Sequence, residues 1–280
     1  MATMTEPDDL YVMARQVLLD ALDALGPHRD AIVLVGAQAV YLRVGEAQLA
    51  VAPFTTDGDL AIDPSVLAEL PALEQVLLAA GFSPKTMNSV GIWITKRSMR
   101  QLVDIEIAID LLVPASMSPG IGRRAARLSG HDYRAARIVK GLDGALVDSD
   151  VMSVAALDVA DTRVVETRVA GPAALLVAKV HKINDRHGTD RESDKDALDI
   201  FRLLRGTETD DLSARYRKLL ADARSADAAK AGLALLAQQF SARGAIGIQM
   251  ASRSIGPLVD PAETAASCEI LAQDLLAAVD

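Results

Sequence analysis

The sequence contains little cysteine and few aromatic residues. Cys268 is the only cysteine in 280 residues, which excludes an internal disulfide framework and a cysteine-based zinc site. Aromatic residues make up 3% of the chain, which gives little sign of base-stacking platforms for single-stranded nucleic acid. No run of 18 or more uncharged apolar residues occurs, and the N-terminus is acidic where a secretory signal would be basic. We therefore expect a cytoplasmic protein with no membrane-spanning segment.

The chain also lacks a positive net charge. With 29 basic and 38 acidic residues its formal charge is −9, which disfavours nucleic-acid binding through the whole surface. One stretch is an exception, because against a single acid it carries the basic residues Arg123, Arg124, Arg127, Arg134, Arg137 and Lys140. This basic segment either binds a polyanion, such as an RNA acceptor strand or a triphosphate, or pairs with neighbouring acidic side chains. The sequence leaves both interpretations open.

The order of hydrophobic patterns predicts a mixed α/β domain followed by a helical one. The predicted elements of the first part are a helix over 8–26, a strand and a helix over 31–45, a strand over 55–63, a helix entered through Asp63 and Pro64, β-rich stretches over 91–96 and 101–114, a loop and helix in the basic segment, and short β segments over 144–171. From Pro172 onward the pattern becomes helical. We therefore place a boundary near residue 170, with an α/β domain over 1–170 and a helical domain over 171–280.

Two aspartates lie in the stretch TTDGDLAID, which otherwise reads as a buried strand. Asp57 and Asp59 are two residues apart and point to the same face, where carboxylates repel each other unless a cation lies between them. Asp110 interrupts the apolar stretch IAIDLLVP and shares its parity with Asp104 and Glu106. Mg²⁺ sites for phosphoryl transfer use carboxylate oxygens. A solvated edge strand is the alternative for Asp104 and Glu106, and it suits Asp110 less well.

A glycine and a small residue precede these aspartates. Gly36 and Ala37 lie where a strand passes into a helix, and a glycine there lets the helix N-terminus approach a phosphate. With the Asp-x-Asp strand and the later aspartate, this order of motifs resembles the nucleotidyltransferase superfamily typified by DNA polymerase β. Within it the chain is similar to the AbiEii/AbiGii-type nucleotidyltransferases, which include MenT-like toxin components of type IV toxin–antitoxin pairs.

Four parts of the chain between residue 31 and about residue 204 carry this resemblance, and the last of them contains two motifs. Gly36-Ala37 lies where the family has Gly-Gly or Gly-Ser. Asp57 and Asp59 match the aspartates of the family's T-x-D-x-D strand, and both Thr55 and Thr56 are candidates for its threonine. Asp110 matches the third carboxylate. Two later motifs, K-x(6)-R and K-D-x-x-D, are matched by Lys179, Arg186, Lys195, Asp196 and Asp199.

The resemblance implies a nucleotidyltransferase fold, with a mixed-sheet core and a C-terminal helical domain, and a metal-dependent enzyme. It would transfer a nucleoside monophosphate from an NTP to an acceptor hydroxyl, on an RNA end such as tRNA or on a protein. Asp57, Asp59 and Asp110 would hold Mg²⁺ or Mn²⁺, and Asp110 would assist the second metal or accept the proton of the attacking hydroxyl. A toxin role and an antitoxin partner follow from the family alone.

The resemblance also implies a nucleotide-binding set. Lys179 would contact the triphosphate as a point charge, and Asp196 would orient that lysine. The remaining nucleotide-binding candidates are Gly36, Ala37, Thr56, Lys182 and Arg186.

Alternatives remain at several of these positions. Ala37 lacks the hydroxyl of a Gly-Ser pair, so a weak or inactive nucleotidyltransferase fold that binds nucleotide or a partner is one alternative, and a metal-dependent nuclease is another. The helix with Lys179 and Lys182 can equally present a solvated basic face. The metal-site prediction fails if Asp110 points away from the other two aspartates, or if an arginine takes the place of the ion. No motif indicates the base of the NTP, the acceptor or the oligomeric state.

Overall fold

The computed structural model of the chain describes residues 8–45, 54–99, 103–118, 124–190, 193–255 and 259–279. Within these residues eight strands form one sheet in the order β3-β4-β5-β2-β1-β8-β7, with β6 paired to β5. The strands are β1 (Ile32–Val35), β2 (Asp57–Ile62), β3 (Ser83–Pro84), β4 (Ile92–Met99), β5 (Val103–Pro114), β6 (Arg137–Val139), β7 (Ser149–Ala155) and β8 (Val164–Ala170). Since β2 runs parallel to β5 and antiparallel to β1, the predicted mixed sheet is confirmed.

Helices alternate with the first strands, and from Pro172 onward the described elements are helices, as predicted. The helices are α1 (Asp9–Ala24), α2 (Gly36–Val44), α3 (Leu73–Ala79), α4 (Pro172–Arg186), α5 (Asp194–Gly206), α6 (Thr209–Ala221), α7 (Ala226–Phe240), α8 (Ile246–Ile255) and α9 (Pro261–Val279). Pro172 starts α4 because a proline at the first helical position removes an N–H that would lack a partner anyway. In the described part of the chain no helix is both long enough and apolar enough to cross a bilayer.

The chain divides into two compact units. The first comprises the described residues of Met1–Gln38, Ala52–Val139 and Asp150–Val169. The second comprises those of Ala39–Val51, Lys140–Ser149 and Ala170–Asp280. The change from strands to helices near residue 170 thus coincides with the last switch between units.

In the first unit α1 packs against β2 and β5. Gly58 makes this packing possible, because a Cβ there would lie 2.8 Å from Ile109 Cδ1 and 3.3 Å from Leu18 Cδ1. Side chains alternate along a strand, so the neighbours of Gly58 and Ile109 face away from α1. The aspartates of β2 and β5 are among those neighbours.

In the second unit α4 contacts α5, α6 and α7, and α5 packs on α8. The α4 side chains Leu176, Val180 and Ile183 are buried. Because three helices surround α4, its Lys179 is buried as well, whereas Asn184 and Asp185 are exposed.

The helix predicted to start at Asp63 and Pro64 begins only at Leu73. Asp63 Oδ1 accepts hydrogen bonds from the backbone N–H of Ser65 at 3.0 Å and from its hydroxyl at 2.6 Å, which closes a turn instead of starting a helix. Pro71 disfavours helical backbone at the residue before it, so the helix follows the proline.

The helix predicted in the basic segment is also wrong for the described residues 124–140, which are extended or in turns. Arg137 pairs with Leu112 through β6 and with Ala125 through an isolated antiparallel bridge. Ala126 and Leu128 are buried while Arg127 is exposed, which is the alternation of extended backbone. A smaller correction concerns residues 144–146, predicted as β, which belong to the 3-10 turn Asp143–Leu146. Arg123 lies outside the described residues.

Candidate active site

Three aspartates share one face of the sheet where β2 and β5 run side by side. In the parallel register Asp59 lies opposite Asp110, and Asp57 lies opposite Ala108. Neighbouring strands are about 4.8 Å apart, so the backbones of Asp59 and Asp110 are close neighbours. Asp110 therefore does not point away from the other two aspartates.

The neighbouring carboxylates change the acidity of Asp110. Burial and the negative charge of Asp59 raise the pKa of Asp110 to about 7, and Asp57 adds to this effect. Arg137 acts in the opposite direction without cancelling it. The pKa of Asp110 thus responds to both of the other aspartates, which places the three carboxylates in one electrostatic environment.

Arg137 is the partner of Asp110. Its Nη2 donates a hydrogen bond to Asp110 Oδ2 at 2.5 Å, and the Asp110 side chain is only 13% exposed. Among the described residues no three His, Cys, Asp or Glu side chains are grouped to hold one metal ion. An arginine, the condition named above against a three-carboxylate metal site, is therefore present at Asp110, and metal binding by Asp57 and Asp59 stays a prediction.

Gly36 brings the start of α2 against Asp59. The backbone of Gly36 has φ +71°, and a Cβ there would lie 2.0 Å from Asp59 Oδ2. Ala37 follows it and is buried. The sequence-predicted glycine at the strand-to-helix junction therefore lies next to the second aspartate of the Asp-x-Asp strand.

Hydrogen bonds from buried residues position Asp57. Thr55 is fully buried, and its Oγ1 donates to Asp57 Oδ1 at 2.6 Å, whereas Thr56 is exposed. Gln38 Nε2 donates to the backbone oxygen of Asp57 at 2.9 Å, and Arg15 Nε donates to Gln38 Oε1 at 2.8 Å. Of the two candidate threonines, Thr55 is the one that contacts the aspartate.

The donor chemistry of this face fits a divalent cation. Carboxylate oxygens are the preferred ligands of Mg²⁺ and Mn²⁺, and a cation would relieve the part of the raised Asp110 pKa that comes, after burial, from the charges of Asp59 and Asp57. Asp57 and Asp59 have the favourable placement, since they lie two residues apart on the same side of β2. Asp110 would join them only on leaving Arg137.

The other predicted site residues lie in the second unit. Lys179 is buried, and its Nζ donates to Asp196 Oδ1 at 2.8 Å and to Asp199 Oδ2 at 2.6 Å. Burial acts to lower the pKa of Lys179, but the charges of Asp196 and Asp199 outweigh it and hold that pKa above its ordinary value. Lys179 is thus a fully engaged ammonium group inside the helical unit.

Lys182 and Arg186 are more accessible than Lys179. The Lys182 side chain is 34% exposed and its Nζ lies 3.0 Å from Asp196 Oδ1, while Arg186 Nη1 lies 3.6 Å from Asp196 Oδ2. Burial acts to raise the pKa of Asp196, and the lysines beside it hold that pKa below its usual range. Asp196 accepts a hydrogen bond from Lys179 and also lies beside two more exposed cations, so its predicted role in orienting Lys179 stays a prediction.

The other described cations of the basic segment differ in exposure and pairing. Arg124 and Arg127 are exposed, and Arg134 pairs with Asp132 at 3.4 Å. Arg137 is the member that reaches the aspartates. Its role was missed in the sequence because the arginine spacing looked helical, and Arg15 and Gln38 were missed because no pattern marks a buried polar pair.

Comparisons with known proteins add little. No family model matches the chain, and no curated protein matches it. Among solved structures it is similar to an antigenic nucleotidyltransferase-like protein from Paracoccidioides brasiliensis, with 16% identity and a TM-score of 0.45 over 83% of this chain and 89% of that one. A similarity at this level carries no argument about function, which has to come from the site.

Proposed function

We propose that the protein is a nucleotidyltransferase that moves a nucleoside monophosphate from an NTP to an acceptor hydroxyl, with Mg²⁺ or Mn²⁺ at the aspartates. The observation that carries the proposal is the shared face of Asp57, Asp59 and Asp110, with Gly36 at the start of α2 against Asp59. The motif order that resembles AbiEii/AbiGii-type nucleotidyltransferases supports the same assignment.

The divalent cation, when bound, would neutralise the triphosphate and polarise its α-phosphate. Asp57 and Asp59 would hold it, and Thr55 fixes one oxygen of Asp57 by a 2.6 Å hydrogen bond. The start of α2 at Gly36 directs backbone N–H groups and the positive end of the helix dipole toward a phosphate.

Asp110 accepts the proton of the attacking hydroxyl. Its place opposite Asp59 in the strand register puts it beside the carboxylates that would hold the cation. The hydroxyl oxygen forms a bond to the α-phosphorus, the bond from that phosphorus to the bridging oxygen breaks, and pyrophosphate leaves with the electron pair. Lys182 and Arg186 remain candidates for binding the leaving phosphates.

The test is transfer of label from each α-³²P NTP, with Mg²⁺ or Mn²⁺, to total RNA and to total protein. We expect transfer by the wild-type protein and loss of at least about 100-fold with Asp59→Asn, since removal of a metal-binding carboxylate removes charge stabilisation. Asp104→Asn is the matched control, because Asp104 lies on β5, is exposed and bonds Ser98 instead of the site. Equal activity of Asp59→Asn and wild type would refute the proposal.

A second candidate function is nucleotide binding without turnover. It is favoured by one observation, the hydrogen bond that holds Asp110 on Arg137. NTP binding in calorimetry that depends on Mg²⁺, with no label transfer under any condition, would support this function. RNA shortening with metal alone and no NTP would instead indicate a nuclease.

The acceptor and the biological role extend the proposal by family resemblance. We propose an RNA end such as tRNA, or a protein hydroxyl, as the acceptor, and the label assay separates these two. A toxin role predicts growth arrest when the protein is induced, and relief of that arrest by the product of a neighbouring gene.

A further inference from the structure

Arg137 is fixed to the sheet by its backbone while its side chain reaches into the site. Its backbone pairs with Leu112, the N–H of the next residue donates to Arg124 O at 2.7 Å, and Gly91 N donates to Arg134 O at 2.8 Å. A Cβ on Gly91 would lie 2.6 Å from Arg137 N, so the strand ends are in close contact. Only the side chain of Arg137 has freedom to change partner.

The charges at this face favour such a change. Three carboxylates, those of Asp57, Asp59 and Asp110, share the face, and within the described residues Asp110 is the one carboxylate that Arg137 pairs with. A divalent cation brought to the aspartates would compete with the guanidinium for Asp110 and repel it. The Arg137 side chain is 23% exposed, so it is accessible from solvent.

We propose that Arg137 is a phosphate-binding residue of this site, held by Asp110 until a cation binds the aspartates and then transferred to the polyphosphate of the nucleotide. The proposal rests on the proposed function, since it assigns the substrate contact of the same site. An arginine fork suits this exchange because carboxylate and phosphate both accept two parallel N–H bonds from it. Cation and polyphosphate then bind cooperatively. The cation compensates the aspartates, which repel a polyphosphate, and the polyphosphate binds the guanidinium, which repels a cation.

The test uses Mn²⁺ and inorganic tripolyphosphate as probes, so that no choice of base is needed. Free Mn²⁺ is measured by electron paramagnetic resonance, and tripolyphosphate binding at saturating Mn²⁺ by calorimetry. For Arg137→Gln we expect Mn²⁺ alone to bind about tenfold more tightly, because Asp110 is released, and tripolyphosphate to bind about tenfold more weakly. Opposite shifts of the two affinities are the signature.

Arg134→Gln is the matched control. Arg134 lies three positions before Arg137 and carries the same charge, but it pairs with Asp132. It should leave both affinities within about twofold of wild type. Arg137→Lys keeps the charge without the fork and should give intermediate values of both. This second variant also serves if Arg137→Gln does not fold by circular dichroism.

The proposal is overturned if Mn²⁺ affinity is unchanged or lower in Arg137→Gln, or if tripolyphosphate affinity does not fall. Label transfer by the wild-type protein without these opposite shifts would sustain the proposed function and reject the role of Arg137. The opposite shifts without any label transfer would sustain the role of Arg137 and reject turnover. The two proposals therefore fail separately.

Discussion

Gly36 and Asp59 approach each other so closely that a side chain at position 36 would overlap the aspartate carboxylate. A Cβ there would lie 2.0 Å from Asp59 Oδ2, and the backbone of Gly36 has φ +71°, which side-chain-bearing residues rarely adopt. Glycine is thus required at position 36 for two reasons: the positive φ, and the lack of room for a Cβ beside Asp59. This contact links the start of α2 to the Asp-x-Asp strand.

Gly36→Ala is expected to reduce label transfer by about 100-fold, because a displacement of about 1 Å at a reacting centre has that effect. Strain from the positive φ adds about 1–3 kcal/mol of destabilisation, measured by thermal unfolding. Gly81→Ala is the control, since Gly81 has φ +83° but nothing within 4 Å of an added Cβ. It should lose stability and keep activity. Equal transfer by the two variants would contradict the assignment of Gly36.

The two adjacent threonines give a second prediction. Thr55 is buried and donates to Asp57 Oδ1, whereas Thr56 is exposed. Thr55→Val keeps the side-chain shape and removes the hydroxyl, and a hydrogen bond to a charged group contributes about 1.5–3 kcal/mol. We expect kcat/KM for label transfer to fall about tenfold or more for Thr55→Val and less than twofold for Thr56→Val. The reverse order would assign the motif threonine to Thr56.

The sequence predicted the aspartate face in two steps. Parity along β2 and β5 determines which side chains of each strand share a face, and the family resemblance implies that the two strands are neighbours. The partner of Asp110 was not predictable in this way. Arg137 lies 27 positions later, and intervals of three and four residues between arginines suggest a helix, although the described backbone there is extended.

The burial of Lys179 could not be predicted from sequence patterns either. Periodicity predicts α4 correctly, but it does not say how many neighbours surround the helix. In the second unit α5, α6 and α7 all contact α4, so a lysine that reads as part of a basic face lies inside. Such a lysine is stable only with acidic partners, and the KDALD motif supplies Asp196 and Asp199.

Lys179→Met is therefore predicted to act mainly on stability. Removing one member of a buried ion pair leaves the other charges uncompensated and costs about 3–5 kcal/mol. Lys182→Met, at a side chain that is 34% exposed, should cost less than about 1 kcal/mol. Urea denaturation of the two variants measures the difference. If both lose less than about 1 kcal/mol, Lys179 is not the structural centre of this cluster.

The raised pKa of Asp110 predicts how the stability of the metal-free protein depends on pH. An aspartate in the unfolded chain has a pKa of 3.8, whereas Asp110 in the folded protein has a pKa of about 7. Between these values the folded protein holds a proton that the unfolded chain releases. The contribution of Asp110 to the free energy of unfolding is therefore most favourable below the unfolded pKa, falls as pH rises through this window, and is lowest above about pH 7.

Asp110→Asn removes this titration, so the comparison of wild type and variant isolates it from other groups such as His131, whose lowered pKa acts in the opposite direction. Unfolding in EDTA should show the variant gaining stability relative to wild type as pH rises from 4 to 8. The pKa difference of Asp110 between the folded and unfolded protein sets an upper limit of about 4 kcal/mol on this gain, at about 1.4 kcal/mol per pKa unit. Saturating Mn²⁺ should reduce the gain, because a cation compensates the wild-type carboxylate and not the amide. A difference that is constant with pH would mean that Asp110 is already ionised at pH 4 in the folded protein, and that burial and the charge of Asp59 do not raise its pKa.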